Sequence, residues 1–270
     1  MADKYDVLII GGGPAAVSAA LTCRNRGKST ALIANNKDTS SLYRAESVTN
    51  YPGQEHVSGG EMLDSFYAQL EKSGAELIKG RALSAVQMGN IIGVAVGNEF
   101  YQCAALIIAA GITRENLYAG EAEFLGRGVS YCATCDGMLY KEKTVALIGS
   151  NAEADADEDF LKSIGCTVLR FAAAGKYEIL GEEKAQTLRY KGEDYKVDCV
   201  FIIKDTVSVT KLVDGLSYEN GGIVTDKHMA TAVSGVFAAG DCTGKPYQIA
   251  KAVGEGNIAA LSACEYIDSL

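Results

Sequence analysis

A strand, a glycine turn and a helix follow one another twice in this sequence, and this repeat leaves few folds open. The two glycine turns stand at Gly11 and Gly149. The segments with strand, helix and strand patterns cover residues 5–10, 15–26 and 29–34 in the first copy and 144–148, 152–164 and 166–171 in the second. Such βαβ units predict parallel sheets with ligand sites at the carboxyl ends of the strands.

The last part of the sequence supplies elements that complete the first copy. An apolar stretch over residues 236–239 leads through a Gly-Asp pair into a long helix that starts near Tyr247. We therefore predict an α/β fold with two Rossmann-like domains, the second inserted into the first. The discontinuous first domain is predicted over residues 1–112 and 230–270, and the second over residues 113–229. Further elements are predicted as a helix over 60–73 and strands near 76–79, 83–88, 91–96 and 106–109.

Charge and hydropathy exclude several classes of function. The chain has 25 Lys and Arg against 34 Asp and Glu, a formal charge of −9, which disfavours nucleic acid and anionic lipid as partners. Its longest apolar stretch, residues 105–112, is far shorter than the roughly 20 residues of a membrane span. Asp3 and Asp6 interrupt any export signal. We predict a cytoplasmic protein whose eight cysteines are thiols or a redox pair.

The first glycine turn has a dinucleotide-binding pattern. Gly11, Gly13, Pro14 and Ala15 belong to a G-x-G-x-x-A motif, in which small residues let a pyrophosphate approach a helix N-terminus. The acidic residue that usually holds a ribose about 20 positions later is missing, and Asn35 is predicted to replace it. The alternative interpretation is a glycine turn without a ligand.

A second phosphate and sugar element is predicted after the strand at residues 236–239. Gly240 would admit phosphates, and the Asp241 carboxylate would accept a hydrogen bond from a ribityl hydroxyl. Gln248, Ile249 and Ala250 open the following helix, whose free N–H groups could stabilise negative charge on a reduced flavin. Together with the first turn, this pattern indicates a flavin dinucleotide, while an ordinary turn and helix cap is the alternative.

The chemical centre of the sequence is the C-x-x-C motif of Cys132 and Cys135. The other six cysteines and both histidines form no second ligand pair, so no metal site is predicted, and these cysteines are expected to be small apolar or surface residues. A C-x-x-C dithiol can lower the pKa of one thiol and close a readily exchanged disulfide. Asp136 is a candidate acid or base, or else a solvated loop carboxylate.

Three motifs resemble the low-molecular-weight flavin thioredoxin reductases: G-R-G-V-S-Y-C-A-T-C-D-G at 126–137, N-Y-P-G at 50–53 and G-V-F-A-A-G-D at 235–241. The resemblance implies FAD as cofactor, thioredoxin as substrate and a homodimer. It implies that Cys135 faces the flavin, Cys132 attacks thioredoxin and Asp136 donates a proton. The residues that it implies as FAD contacts are Leu42, Asn50, Ala82, Gly111, Gln248 and Ile249.

The second glycine turn departs from the usual NADPH-dependent members of that family. Five carboxylates occupy residues 152–159, where an incoming pyrophosphate would meet like charge. Arg170 is the single basic residue near the end of the following strand, where a 2′-phosphate needs arginines. The chain is therefore most similar to the ferredoxin-dependent flavin thioredoxin reductases, although no linear basic patch for an acidic ferredoxin is visible beyond Lys141 and Lys143.

Three alternatives to a ferredoxin-dependent thioredoxin reductase remain at this point. The first is an NADPH-dependent thioredoxin reductase with an unusual nucleotide site, in which the acidic run is only a solvated helix face. The second is a flavin disulfide reductase supplied by flavodoxin or by a dithiol protein. The third is a redox sensor without catalytic activity, in which the C-x-x-C pair reports thiol status to a partner.

Overall fold

The computed structural model describes residues 3–34, 37, 40–80, 82–96, 99–112, 118–130, 133–150, 152–203 and 212–270. Two predicted site residues, Asn35 and Cys132, lie outside these ranges, and of Cys135 only the backbone is described. Among the described helices, none combines the length and the apolar character that crossing a membrane requires.

The chain divides into two compact units. Unit 1 comprises Met1–Tyr43, Ser47–Thr113 and Thr206–Leu270, and unit 2 comprises Arg44–Glu46 and Arg114–Asp205. The chain returns to unit 1 near residue 206, and not near residue 230 as the sequence interpretation placed it. Residues 212–223 belong to unit 1 because Leu212, Val213 and Ile223 are buried in one of its cores.

Unit 1 is a three-layer α/β structure. Its elements are β1 (Lys4–Ile10), α1 (Pro14–Asn25), β2 (Thr30–Ala34), α2 (Gly59–Ser73), β3 (Glu76–Lys79), β4 (Ala82–Met88), β5 (Ile91–Val96) and β6 (Glu99–Ile108). The described strands β1 to β6 form one sheet in the order β3-β2-β1-β6-β5-β4. Strands β1, β2, β3 and β6 pair in parallel, while β4, β5 and β6 form an antiparallel meander.

Unit 2 carries the second copy of the repeat. Its elements are α3 (Glu121–Phe124), β7 (Val129–Ser130), α4 (Ala133–Asp136), β8 (Thr144–Ile148), α5 (Ala152–Ser163), β9 (Thr167–Phe171), β10 (Tyr177–Gly181), β11 (Ala185–Tyr190), β12 (Glu193–Lys196) and β13 (Cys199–Ile202). The described strands form a parallel sheet in the order β7-β13-β8-β9 and an antiparallel sheet of β10, β11 and β12.

The chain then re-enters unit 1 through β14 (Tyr218–Glu219), β15 (Gly222–Ile223), β16 (Val236–Ala238) and α6 (Ile249–Asp268).

The continuous apolar runs of the sequence become the central strands of unit 1. Each sheet face is covered, so side chains that alternate along β1 enter two cores: Val7 and Ile9 face α1 and α6, and Leu8 faces the meander side. Helix α1 lies against α6 with small residues at the contact. A Cβ added to Gly256 of α6 would stand 2.2 Å from the carbonyl oxygen of Ala15, so only glycine permits this approach.

The sequence interpretation located both βαβ units but gave no strand between residues 172 and 235. Strands β10 to β12 occupy part of this gap, and their edge residues are mostly polar or charged. The Arg189 guanidinium, on β11, forms ion pairs with Glu178 at 3.1 Å and with Asp194 at 2.7 Å. Strands β10 to β12 pair with one another and lack continuous apolar runs. The hydrophobic pattern that predicts a strand is therefore weak in this part of the sequence.

Candidate functional site

The first glycine turn packs against the neighbouring strand end so closely that side chains are excluded. Gly11 has a φ of +132°, and an added Cβ would lie 2.1 Å from the Ala109 carbonyl oxygen. At Gly12 an added Cβ would lie 2.5 Å from the Tyr67 hydroxyl, which donates a hydrogen bond to the Gly12 carbonyl at 3.1 Å. The turn is therefore a backbone cradle.

Helix α1 begins directly after this cradle. Pro14 is its first residue, Gly13 is its N-cap without a side-chain hydrogen bond, and its first turn contains no acidic residue. The first N–H groups of a helix lack partners within the helix, and its N-terminus carries partial positive charge. The cradle and the helix end together fit a pyrophosphate group.

The Gly240–Asp241 segment, more than 200 residues later, comes to the same helix end. Strand β16 pairs in parallel with β6, so the segment that follows β16 emerges beside the first turn. A Cβ added to Gly240 would lie 2.8 Å from the Cβ of Ala15 in α1. The structure thus brings together the two elements that the sequence interpretation assigned to phosphate and sugar.

A polar network that the sequence interpretation missed holds this segment on α6. The Glu255 carboxylate accepts hydrogen bonds from the Gly240 N–H at 2.9 Å and the Thr243 hydroxyl at 3.0 Å. Lys251 donates to the carbonyls of Gly240 and Gly244 at 3.0 and 2.7 Å and forms an ion pair with Glu255 at 3.1 Å. The sequence signal was the i,i+4 spacing of Lys251 and Glu255 on the predicted helix.

Asp241 lies beside this network, and its carboxyl group has a raised pKa. Burial raises the pKa of its carboxyl to about 6, with Glu255 raising it further and Lys251 lowering it. Within the described residues, its side chain accepts no hydrogen bond. A partly buried carboxylate without a donor is what a hydroxyl-bearing ligand would satisfy, so the residues present fit the ribityl chain of a flavin.

Asn50 and Gln248, separated by 198 positions, meet in unit 1. The Asn50 side-chain nitrogen donates to the Gln248 side-chain oxygen at 3.1 Å. Gln248 is the N-cap of α6 without a capping hydrogen bond from its side chain, and the first turn, which includes Ile249 and Ala250, contains no acidic residue. This helix end is therefore open to a partly negative group.

The remaining predicted FAD contacts lie near the same end of the sheet. Leu42 and Ala82 are buried. Ala82 starts β4 two residues after Gly80, whose N–H donates to the carbonyl of Ala34, the last residue of β2. Gly111 follows β6 with a φ of +62°, and no part of the described chain lies within 4 Å of an added Cβ.

The redox segment of unit 2, defined as residues 132–136, includes the short helix α4. Its last residue, Asp136, accepts a hydrogen bond from the Ser130 hydroxyl at 2.7 Å. Burial raises the pKa of the Asp136 carboxyl, the Ser130 hydrogen bond opposes this, and Glu46 adds to the rise. Asp136 is thus a half-buried, hydrogen-bonded carboxyl rather than a solvated loop carboxylate, and it holds its proton more tightly than usual.

Exposed apolar side chains follow the redox segment directly. Met138 is 59% exposed and Leu139 is 44% exposed, although both are large hydrophobic residues. Lys141 and Lys143 are exposed one turn further along, and the Lys143 ammonium lies 5.6 Å from the Tyr140 ring centroid. Exposed hydrophobic groups beside cations are typical of a surface that binds another protein.

In unit 2 the second glycine turn is already occupied by an arginine. The Arg170 guanidinium donates to the carbonyls of Gly149 and Ala154 at 3.1 and 2.6 Å. It also forms ion pairs with Asp155 at 2.9 Å and Glu158 at 3.1 Å, both on α5. The carboxylates that the sequence placed here therefore neutralise the one arginine that could bind a phosphate.

An aromatic cluster stands at the end of β9, where a dinucleotide-binding fold usually holds the adenosine ribose. Phe171 packs edge-on against Tyr177 and Tyr195, with ring centroids 5.9 and 5.1 Å apart. The Tyr177 hydroxyl donates to the Ala172 carbonyl, and the Ala173 N–H donates to the Ser150 hydroxyl at 2.8 Å. The loop after β9 is thereby tied down over the glycine turn.

The other six cysteines are all buried, so they are apolar core residues and not surface residues. Cys199 lies beneath the redox segment, where burial raises its thiol pKa well above the usual value while its hydrogen bond with Tyr140 opposes this. His56 and His228 are exposed.

Unit 1 has a glycine turn that fits a dinucleotide. Unit 2 has a glycine turn closed by Arg170, and its sequence contains the C-x-x-C pair. This combination defines the class of two-unit flavin disulfide oxidoreductases. The sequence matches the family described as pyridine nucleotide-disulphide oxidoreductase over residues 5–152 and 159–256, and the chain belongs to that family. It is an FAD-binding protein and a disulfide oxidoreductase of the thioredoxin reductase type.

Individual relatives agree with this assignment. The thioredoxin reductase of Bacillus subtilis is 32% identical over 302 aligned positions, covering 98% of this chain and 96% of that protein. A solved ferredoxin-flavin thioredoxin reductase of Clostridium acetobutylicum is 37% identical, with a TM-score of 0.64, and the match covers 99% of this chain and 98% of that one. A thioredoxin reductase structure of Streptococcus pyogenes is 30% identical with a TM-score of 0.86, over the full length of both chains.

Proposed function

We propose that this chain reduces thioredoxin with electrons from reduced ferredoxin and does not use NADPH. The observation that carries the proposal is the occupation of the second glycine turn by Arg170. A pyrophosphate at this turn would have to displace a guanidinium with four hydrogen-bonding partners and would then face Asp155 and Glu158. Displacing the guanidinium breaks several hydrogen bonds that involve charged groups, each worth about 1.5–3 kcal/mol. The pyrophosphate would then be repelled by the two carboxylates.

The comparisons support this donor in two ways. Two solved structures of ferredoxin-flavin thioredoxin reductases match this chain almost end to end at 37% and 33% identity. The alignment to the Bacillus subtilis thioredoxin reductase needs 302 positions for a chain of 270 residues, so that relative carries segments that this chain lacks. The single arginine near the end of β9, the acidic start of α5 and the shorter chain favour the same electron donor.

The redox energetics allow this donor. Plant-type ferredoxins have potentials near −400 mV and thioredoxin near −270 mV, so two electrons release about 6 kcal/mol. FAD, when bound, supplies the conversion of single electrons into a pair. In unit 1, the α1 N-terminus and the Gly11 cradle would hold its pyrophosphate, and Asp241 its ribityl chain.

The chemistry at the C-x-x-C pair follows from the residues of unit 2. The Cys132 thiolate would attack one sulfur of the thioredoxin disulfide, forming a mixed disulfide and releasing one thioredoxin thiolate. Asp136, whose pKa is raised by burial, would supply the proton to that leaving group. The Cys135 thiolate would then attack Cys132, closing the Cys132–Cys135 disulfide and releasing the second thioredoxin thiolate. The exposed Met138 and Leu139 would bind the apolar surface of thioredoxin beside this pair.

The first half-reaction, reduction of the flavin, is run anaerobically with two electron donors. The purified flavoprotein is mixed with NADPH in one cell and with dithionite-free reduced ferredoxin in another, and the flavin absorbance is followed. We expect bleaching within seconds by ferredoxin and none by NADPH, with an NADPH-dependent thioredoxin reductase as the positive control. Rapid bleaching by NADPH would reject the ferredoxin assignment, and bleaching by flavodoxin or a dithiol protein alone would favour the second alternative.

The second half-reaction tests the substrate. Flavoprotein reduced beforehand is mixed with oxidised thioredoxin, and the new thiols are counted. We expect two thiols per thioredoxin in the wild type and none in Cys132→Ser, which should still bind FAD and whose bound FAD should still be reduced by the electron donor. If the wild type transfers no electrons to any thioredoxin, the redox-sensor alternative gains support.

A further inference from the structure

Helix α2 places two polar side chains beside the end of strand β2. Asp64 and Tyr67 are three positions apart on this helix, so they lie on the same side of it. The Tyr67 hydroxyl donates to the Gly12 carbonyl at 3.1 Å, and a Cβ added to Gly12 would lie 3.0 Å from the Cβ of Ala34, the last residue of β2. This side of α2 therefore borders both the glycine turn and the end of β2.

The Asp64 carboxylate reaches the part of the chain that leaves β2. It forms a salt bridge with the ammonium group of Lys37, which stands three positions after Ala34. In a dinucleotide-binding fold, an acidic residue at this strand end usually accepts a hydrogen bond from the adenosine ribose. Residues 35–37, which follow β2 directly, read Asn-Asn-Lys and contain no acid. A carboxylate is thus brought to this place from a different element.

The Asp64 carboxylate has room to accept a hydrogen bond from a ligand. A carboxylate has about four acceptor positions, and the salt bridge joins Lys37 to one of its two oxygens. The Asp64 side chain is 54% exposed, so a ligand can approach it. Glu61, one turn earlier on α2, is engaged differently, because its carboxylate accepts hydrogen bonds from the N–H and the hydroxyl of Ser58 in the helix cap. Of these two acids, Asp64 is the one available to a ligand.

A second lysine–aspartate pair in unit 1 provides a comparison. Lys28 follows the C-terminal end of α1 and forms a salt bridge with Asp268, the last residue of α6. The Asp268 side chain is 56% exposed, almost as much as that of Asp64. The glycine turn lies at the other end of α1, which spans about 18 Å for 12 residues. Asp268 is therefore chemically equivalent to Asp64 but remote from the dinucleotide.

We propose that Asp64 is the acceptor for the 2′-hydroxyl of the adenosine ribose of FAD. In this type of fold the ribose lies beside the end of β2 when the pyrophosphate occupies the glycine turn. The salt bridge with Lys37 holds the Asp64 carboxylate at that place. Helix α2 thus supplies, from outside the first βαβ unit, a contact that usually comes from the end of β2. The proposal concerns FAD binding alone and does not depend on the electron donor.

The test compares FAD with an analogue whose adenosine lacks the 2′-hydroxyl. Both flavins are titrated into the full-length chain freed of FAD, and the change in flavin fluorescence gives the two dissociation constants. We expect the wild type to bind FAD about tenfold more tightly, which is the lower end of what a hydrogen bond to a charged group contributes. Asp64→Ala should bind both flavins equally, with about the affinity that the wild type has for the analogue.

The matched control is Asp268→Ala, which removes an equally exposed aspartate from a salt bridge with a lysine. This variant should keep both the FAD affinity of the wild type and its tenfold preference for FAD over the analogue. A general effect of lost surface charge would weaken both flavins alike in both variants, whereas a ribose contact changes the ratio of the two dissociation constants in Asp64→Ala alone.

Two results would overturn the proposal. The first is equal binding of both flavins by the wild type, and this titration gives its answer even if a variant fails to fold. The second is a preference for FAD that Asp64→Ala retains. Asn35 and Asp38, which also follow β2 in the sequence, lie outside the described residues. If Asn35→Ala or Asp38→Ala loses the preference while Asp64→Ala keeps it, the ribose contact belongs to that residue and not to Asp64.

Discussion

Asp241 is expected to destabilise the protein in the absence of FAD, and the size of this effect follows from its pKa. Burial raises that pKa from its ordinary value of 3.8 to about 6. At about 1.4 kcal/mol for each tenfold change in the ionisation equilibrium, the difference corresponds to about 3 kcal/mol. An asparagine at this position has almost the same shape and no ionised form to desolvate.

The sign of the pH dependence is fixed by linkage. Below pH 3.8 the carboxyl is protonated in both the folded and the unfolded chain, so Asp241 has no cost there. As the pH rises from about 4 to 6, the unfolded chain releases its proton first, and the folded state loses stability. Above pH 6 the full cost of about 3 kcal/mol is present. Asp241→Asn should therefore match the wild type near pH 4 and exceed its unfolding free energy by up to about 3 kcal/mol near pH 7.5.

The assay is urea unfolding of FAD-free wild type and Asp241→Asn at several pH values between 4 and 7.5. Other titrating groups are shared by both proteins, so their effects cancel in the difference. FAD retention should change in the opposite direction, because the amide is a weaker acceptor for a ligand hydroxyl than the carboxylate. A difference in unfolding free energy that stays constant across this pH range would show that Asp241 is not a strained buried acid.

Three further changes are predicted. Glu255→Ala should lower the unfolding free energy by about 2 kcal/mol and release FAD in fluorescence titrations, because it removes the charge partner of the half-buried Lys251 and leaves the Gly240 N–H unpaired; normal FAD retention would exclude its positioning role. Ser130→Ala removes the hydrogen bond that lowers the Asp136 pKa, so the loss of thioredoxin reduction at high pH should move to higher pH; an unchanged pH profile would argue against Asp136 as the proton donor. Met138→Ser combined with Leu139→Ser should raise KM for thioredoxin about tenfold with flavin reduction unchanged, whereas an equal KM would place thioredoxin binding elsewhere.

The first glycine turn shows what local sequence can determine. Gly11 has no side chain because the Ala109 backbone lies against it, and this requirement is visible in the glycine motif itself. The same holds for the C-x-x-C pair, whose chemistry depends on two cysteines one helical turn apart. The parallel strands were likewise visible, since strands buried on both faces need continuous apolar runs.

Contacts between distant residues needed the fold. The predicted return of the chain into unit 1, at residue 230, came too late because short strands such as β14 and β15 are recognised only by the core that they cover. Arg170 and the acidic residues at the start of α5 are visible in the sequence, but the ion pairs between them are visible only in the structure. The sequence likewise contained Glu255 without the Gly240 N–H that it binds.

The sequence by itself determined the class of this protein, because a flavin cradle and a redox pair are built from neighbouring residues whose spacing is their chemistry. Only the tertiary structure decided which charged side chains form ion pairs with one another. Ion pairs, raised pKa values and the Asn50–Gln248 hydrogen bond depend on distances of a few ångströms between residues that are often far apart in the chain, and chain order does not contain those distances.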